Sequence, residues 1–204
     1  RRTSCTNNLK QIGFAVQTYV SAQKVLPPGR WRDSYITWFG LILPNLEDAA
    51  GYALWKQDRS FYDSTNRAAR EYRVACYFCP SRGRVGFLSA DQRSGSGQVT
   101  PGLLGDYAGC IGAVMHSEGG STYYPFRYGG VLITTKSYKN SAVQAPRGDV
   151  KLADITDGTT KTLLVGEKYV PASKIGTLAY DASIYNGDTV YQSMRAAGRG
   201  TEYD

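Results

Sequence analysis

The residues best equipped for chemistry are four cysteines, one histidine and a scatter of carboxylates. Cys76 and Cys79 form a C-x-x-C in "CYFC", while Cys5 and Cys110 stand far from it. A four-cysteine zinc site wants a second closely spaced pair, which the chain lacks. A thioredoxin-like redox site wants that motif in a βαβ frame, also lacking. An even cysteine count in a Tyr-, Gly- and Thr-rich chain points instead to an oxidising compartment and up to two disulfides. Four cysteines allow three pairings, and the sequence does not choose among them. Buried free thiols and metal or redox chemistry are the alternatives.

Nucleophilic catalysis needs a base beside a nucleophile. His116 lies in a Gly-rich loop, "MHSEGG", with no G-x-S-x-G elbow in the chain, and reads as a surface residue. Asp154, Asp157, Glu167, Asp181 and Asp188 are available for paired-carboxylate work, but spacing along the chain does not pair them. "DITDGTT" alternates Asp and Thr oxygens around a Gly turn. Asp154 and Asp157 are therefore candidate Ca²⁺ ligands. The competing reading is an Asx-type turn in which the same carboxylates accept from nearby backbone N–H groups. "GDYAGCIGA" lacks both the P-loop Lys-Ser/Thr and a G-x-G-x-x-G, which argues against a nucleotide site. No enzyme activity is expected.

Lys and Arg total 24 against 17 Asp and Glu, a formal charge of +7. Such a field can draw nucleic acid or other polyanions. Arg30, Trp31 and Arg32, and again Arg127 and Tyr128, set cations beside aromatic rings. This is the pairing that holds phosphates and stacks bases, so these five residues form a candidate ligand surface. The basic residues otherwise scatter, with no run of five.

These groups must be carried by a folded body. Hydrophobic residues make up 42% and charged residues 20% of 204, a globular composition of one domain's size. Cys5, Leu9, Ile12, Val16 and Tyr19 recur at spacings of four, three, four and three. This predicts an amphipathic helix over 5–24, closed by "LPPG" at 26–29. A short helix is expected from near Pro44, with Trp38 and Trp55 in the core, and another turn or two over 66–73. "VACYFCPS" (74–81) reads as a short buried strand, and 89–105 as a loop. Strands are expected at 106–114, 129–137 and 161–170, with an Asp-Gly turn at 157–158 and a Tyr-rich loop at 117–128.

Several separated stretches agree with one family. "RRTSCTNNLKQIGFAVQTY" (1–19), "LPPG", "TWFGLILPNLED" (37–48), "FCPS" (78–81), "DYAGCIGA" (106–113) and "LADITDGTTKTLLVGE" (152–167) resemble, in order, a large bacterial family of type IV pilin-like proteins. Its members carry a prepilin-type cleavage/methylation N-terminus and an otherwise uncharacterised C-terminal domain. The resemblance implies an α+β, pilin-like fold: a long N-terminal helix on an antiparallel sheet, with inserted loops and short helices. Residues 1–25 would be the C-terminal half of the pilin helix and 26–204 the globular head. Leu9, Ile12, Val16 and Tyr19 would pack the helix on the sheet.

It also implies an apolar half-helix ahead of Arg1, about 20 residues long and able to enter a bilayer. Members finish with a His-Pro-Gly-Gly-like stretch that this chain does not reach before Asp204. A C-terminus that is cut, or a member that differs there, is the expectation. The function implied is that of a structural subunit of a type IV pilus or a type II secretion-like filament, at the cell envelope or surface. Its partners would be other pilin-like subunits and, through the N-terminal segment, the inner membrane. Loops 117–128 and 176–191 would face neighbours. The alternative is an adhesion or DNA-capture head that uses the basic, Tyr-rich surface.

Overall fold

The computed structural model of the chain describes residues 2–91, 97–110, 112, 130–132, 148, 150–177, 180–188 and 192–195. Helix α1 spans Arg2–Gln23 and buries Cys5, Ile12, Ala15, Val16, Tyr19 and Val20 along one stripe. It closes where Lys24 turns into the left-handed region (φ 63) and donates its N–H to Val20 O at 2.8 Å. That single bond satisfies one of the carbonyls a helix end leaves open. The two prolines at 27 and 28 then keep the chain from re-entering a helix.

The next segment folds as several short turns. Helix α2 (Trp38–Leu41) is a single buried turn. A 3₁₀ turn at Leu43–Leu46 carries Pro44 at its start and stops at Glu47, which is left-handed at φ 60. Helix α3 (Ala49–Ala53) begins afresh, its first turn capped by the Asp48 side chain accepting from Gly51 N–H. The one helix expected from Pro44 is thus two pieces, broken at Glu47. A 3₁₀ turn at Ser64–Asn66 runs into helix α4 (Arg67–Arg70), inside the stretch where helical turns are expected.

Residues 74–81 do not form the expected strand. Ala75–Tyr77 is a 3₁₀ turn. The reason is local: Tyr77 N–H bonds back to Val74 O, and Cys79 N–H goes to the Asp106 carboxylate rather than to a neighbouring strand.

Three strands make a small sheet in the order β2–β1–β3. The central strand β1 (Tyr107–Cys110) is buried throughout. Strand β2 (Val165–Glu167) pairs with it antiparallel, with Tyr107 opposite Glu167 and Gly109 opposite Val165. Strand β3 (Met194–Arg195) pairs parallel, Gly109 opposite Met194. The sheet is therefore mixed, a correction to the antiparallel expectation. A parallel neighbour needs a long connection, and more than 80 residues of chain separate β1 from β3. Strand β2 is shorter than the expected 161–170. The residues before it are held in the Asp157–Gly158 turn, where Gly158 has φ +84 and accepts from Lys161 N–H. Of the expected strand at 129–137, residues 130–132 are described and are not a strand, and the rest lies outside the described residues.

The core is aromatic. Trp38 stacks on Phe39 at 3.9 Å, Phe39 meets Tyr77 edge-on at 4.8 Å, and Tyr185 meets both Tyr77 and Trp55 edge-on. Edge and offset geometries of this kind add attraction beyond the area they bury. Gly109 lies beneath this stack. A Cβ there would come within 2.6 Å of Leu132 Cδ1 and 3.2 Å of Trp38 Nε1, so the strand can approach because the residue has none. The stripe of α1 joins the same core. The helix lies against the 43–46 and 75–77 turns and β2. The fold is α+β: a long N-terminal helix packed on a small mixed sheet with short helices.

Candidate functional site

The feature that organises the surface is the clamp between α1 and the rest of the molecule. Ile12, Val16 and Tyr19 are buried, and Leu9 is half-buried against the same core. Beside Leu9, Asn8 reaches off the helix. Its Nδ2 donates to Phe78 O at 2.7 Å and to Tyr107 Oη at 3.2 Å. A disulfide joins Cys5 in the second turn of α1 to Cys79, across 74 residues of sequence. Glu167, opposite Tyr107 in the sheet, brings a carboxylate to the two sulfurs, all within 4.8 Å. With both sulfurs bonded to each other, this trio is a covalent link with an acidic neighbour. Disulfides of this kind form and persist in oxidising compartments outside the cytoplasm.

The other two cysteines, Cys76 and Cys110, are free and buried. Burial pushes the Cys76 thiol up to about 11, which suppresses its thiolate. The C-x-x-C therefore contributes one partner to the clamp and one inert thiol.

The opposite face of α1 points outward. Phe14 is 68% exposed amid Lys10, Gln11 and Gln17. No described helix is long and apolar enough to cross a membrane. A second set of exposed apolar side chains belongs to the 152–175 segment: Leu152, Leu163, Tyr169 and Ile175, with Tyr169 at 80%.

The candidate ligand surface is not assembled as expected. Arg30 and Trp31 are buried. The Arg30 guanidinium donates to the Gly187 and Asp188 carbonyls at 2.8 and 2.7 Å and pairs with Asp33 at 2.9 Å. Trp31 meets Tyr35 edge-on. Arg32, half-exposed, lies over the Tyr35 ring at 4.8 Å. These cations serve the hairpin at 30–37 and the segment that covers it. Arg127, Tyr128, His116 and the loop 117–128 lie outside the described residues. In the second loop expected to face neighbours, residues 181–187 are buried, a correction. Their side chains face inward: Ile184 and Tyr185 fill the core, and Asn186 bonds Asp91 and Tyr62.

Asp154 caps a 3₁₀ turn at Leu152–Asp154, accepting from Lys151 N–H at 2.8 Å. This is the backbone-capping role set against Ca²⁺ binding in the sequence. Asp157 is exposed in the following turn.

Sequence reasoning missed a buried ionic cluster. Arg84 donates to Asp106 through Nε and to Asp181 through Nη1, and its Nη2 reaches Gly105 O at 3.0 Å. Lys168 Nζ lies 2.8 Å from Asp181 Oδ1. Lys168, Asp106 and Asp181 are wholly buried and Arg84 nearly so. Arg82 completes the rim, donating to Lys168 O and standing 3.7 Å from Asp106. Burial alone would raise the Asp181 carboxyl, but Lys168, the Gly176 N–H and Arg84 outweigh it and hold it below its usual range. Burial drives Lys168 down to about 8 against the pull of Asp181. A sequence signal existed. Asp106 immediately precedes the buried strand at 107–110 and Lys168 immediately follows the strand that pairs with it, and charges placed against a buried strand need partners.

A family model described as "Protein of unknown function (DUF1559)" matches residues 1–197, and the chain belongs to that family. No curated protein and no solved structure matches the chain.

Proposed function

We propose that this member of the family is the head of a type IV pilin-like or pseudopilin subunit, a structural component of an envelope filament. The observation that carries the reading is the clamp. A long N-terminal helix is fixed along one buried stripe and by Cys5–Cys79, while its other face stays open to solvent around Phe14. A helix held rigidly on a head can transmit position from a filament centre to its surface. The resemblance of residues 1–19 and 152–167 to the pilin-like family supports the same reading.

In this account an apolar segment ahead of Arg1 inserts in the inner membrane before assembly and then bundles with its copies. The α1 face at Phe14 and the apolar side chains of 152–175 meet neighbouring subunits. The head is non-enzymatic, and its place is the cell envelope or surface. The burial of Arg30 and Trp31 in the described surface does not favour the DNA-capture reading.

A photo-crosslinking residue in place of Phe14, introduced in the full-length protein in cells, tests the reading. Ladders of crosslinked subunits are the expected result. A chain that crosslinks to no pilin-like protein, and stays monomeric in surface fractions, would overturn it.

A further inference from the structure

We propose that Lys168 and Asp181 are a self-modification site, joined by an intramolecular amide bond that the folded chain forms unaided. The inference stands apart from the filament reading. Lys168 Nζ and Asp181 Oδ1 are 2.8 Å apart in a wholly buried site. Yet the two atoms are not aligned as a hydrogen bond, and neither has another partner among the described residues. The second carboxylate oxygen is in the opposite condition. Oδ2 receives Arg84 Nη1 and, at 3.0 Å, Gly176 N–H. One oxygen is thus held by two donors while the other faces an amine.

That division suits amide formation. Nζ first passes one proton to Oδ1, 2.8 Å away, and the neutral amine then adds to Cγ of the neutral carboxyl, forming the C–N bond. The charge that develops on Oδ2 is met by the guanidinium and the backbone N–H, as preorganised donors meet an oxyanion. The Cγ–Oδ1 bond then breaks. The ammonium begins with three protons and the amide keeps one; the other two leave on Oδ1 as water. No oxidant, reductant or further reactant is required. A desolvated lysine is a competent nucleophile, and the lowered proton affinity that burial gives Lys168 eases the passage of its proton to Oδ1.

The charges also balance afterwards. Lys168 and Asp181 cancel in the product, leaving Arg84 paired with Asp106. Two buried charges are exchanged for a neutral amide, which removes their desolvation cost. Arg195, the other cation whose charge acts on Lys168, has its guanidinium on the Met194 and Tyr180 carbonyls. The product would tie the residue after β2 to the buried 181–187 segment, a second covalent staple beside Cys5–Cys79.

The test is the intact mass of the purified protein after its disulfide is reduced. The expected value is the sequence mass less one water, with a branched tryptic peptide carrying residues 168 and 181. Lys168→Arg and Asp181→Ala should each restore the full sequence mass. The wild-type reading stands even if a variant fails to fold. A wild-type chain at full sequence mass, with Lys168 open to an amine-reactive reagent in urea, would overturn the proposal. So would a water loss mapped to Asp157–Gly158 instead.

Discussion

Cys5 on the helix is bonded to Cys79 on the turn that precedes the ionic cluster, so one covalent link spans 74 residues. Closing a loop of that length restricts the unfolded chain by about 4 kcal/mol in the loop-entropy picture. Cys5→Ser or Cys79→Ser is expected to lower unfolding stability by about 2–5 kcal/mol. Urea unfolding with and without reductant measures it, and equal midpoints would show that the link contributes nothing.

Thiol labelling distinguishes the four cysteines. The native protein should label at neither Cys76 nor Cys110, because both are buried and the Cys76 thiol is pushed up to about 11. Two thiols should appear on unfolding without reductant and four with it. Rapid labelling of the native chain would contradict the buried placement.

The two faces of α1 should respond in opposite ways. Ile12→Ala removes a wholly buried side chain and should cost about 2–5 kcal/mol. Phe14→Ser alters a 68% exposed residue and should move stability by no more than about 0.5 kcal/mol. In the full-length protein the same change should weaken filament incorporation. Thermal melts of both variants, set beside surface-fraction yields, separate packing from assembly.

Asp106 accepts from Cys79 N–H and from Arg84, and at the rim Arg82 stands 3.7 Å from it as an ion pair. Asp106→Ala takes from Arg84 the carboxylate at its Nε and from Cys79 N–H its acceptor. A loss of about 3–5 kcal/mol is expected, as when one partner of a buried ion pair is removed. A denaturant titration reads it directly.

Asp91 sets a pH dependence. Burial raises its carboxyl, against the lowering effect of Asn186, Ser89 and the Ser183 N–H. The folded value lies above the unfolded one, so as pH falls the folded state takes up the proton first. Asp91 therefore favours folding increasingly as pH falls through its raised folded value toward 3.8, and its contribution is level below that. Asp91→Asn should remove this component. The difference in unfolding free energy between wild type and variant, followed from pH 7 down to about pH 4, should shift toward the wild type as pH falls.

Local patterning made part of this fold legible. The spacing of Ile12, Val16 and Tyr19 marks the stripe of α1, and the prolines at 27 and 28 mark its end. Asp157–Gly158 marks a turn because that position needs φ > 0. What was not legible depends on distant partners. The segment "VACYFCPS" has the composition of a strand, but Asp106, nearly 30 residues on, takes the N–H that a strand would have paired. Arg30 and Trp31 look like a ligand surface in one dimension. Gly187 and Asp188 supply the carbonyls that draw Arg30 inside. Asp181 gives no local sign that it will meet Lys168 and Arg84, since neither spacing nor composition joins the three. The parallel placement of β3 likewise follows from a crossover that no short window contains.

The most direct test of the filament account is the mature N-terminus of the native protein, read by mass spectrometry in envelope and sheared-surface fractions. The account predicts an N-methylated residue followed by a long apolar stretch ahead of Arg1. A native chain that begins near Arg1 and is recovered free in solution would contradict it.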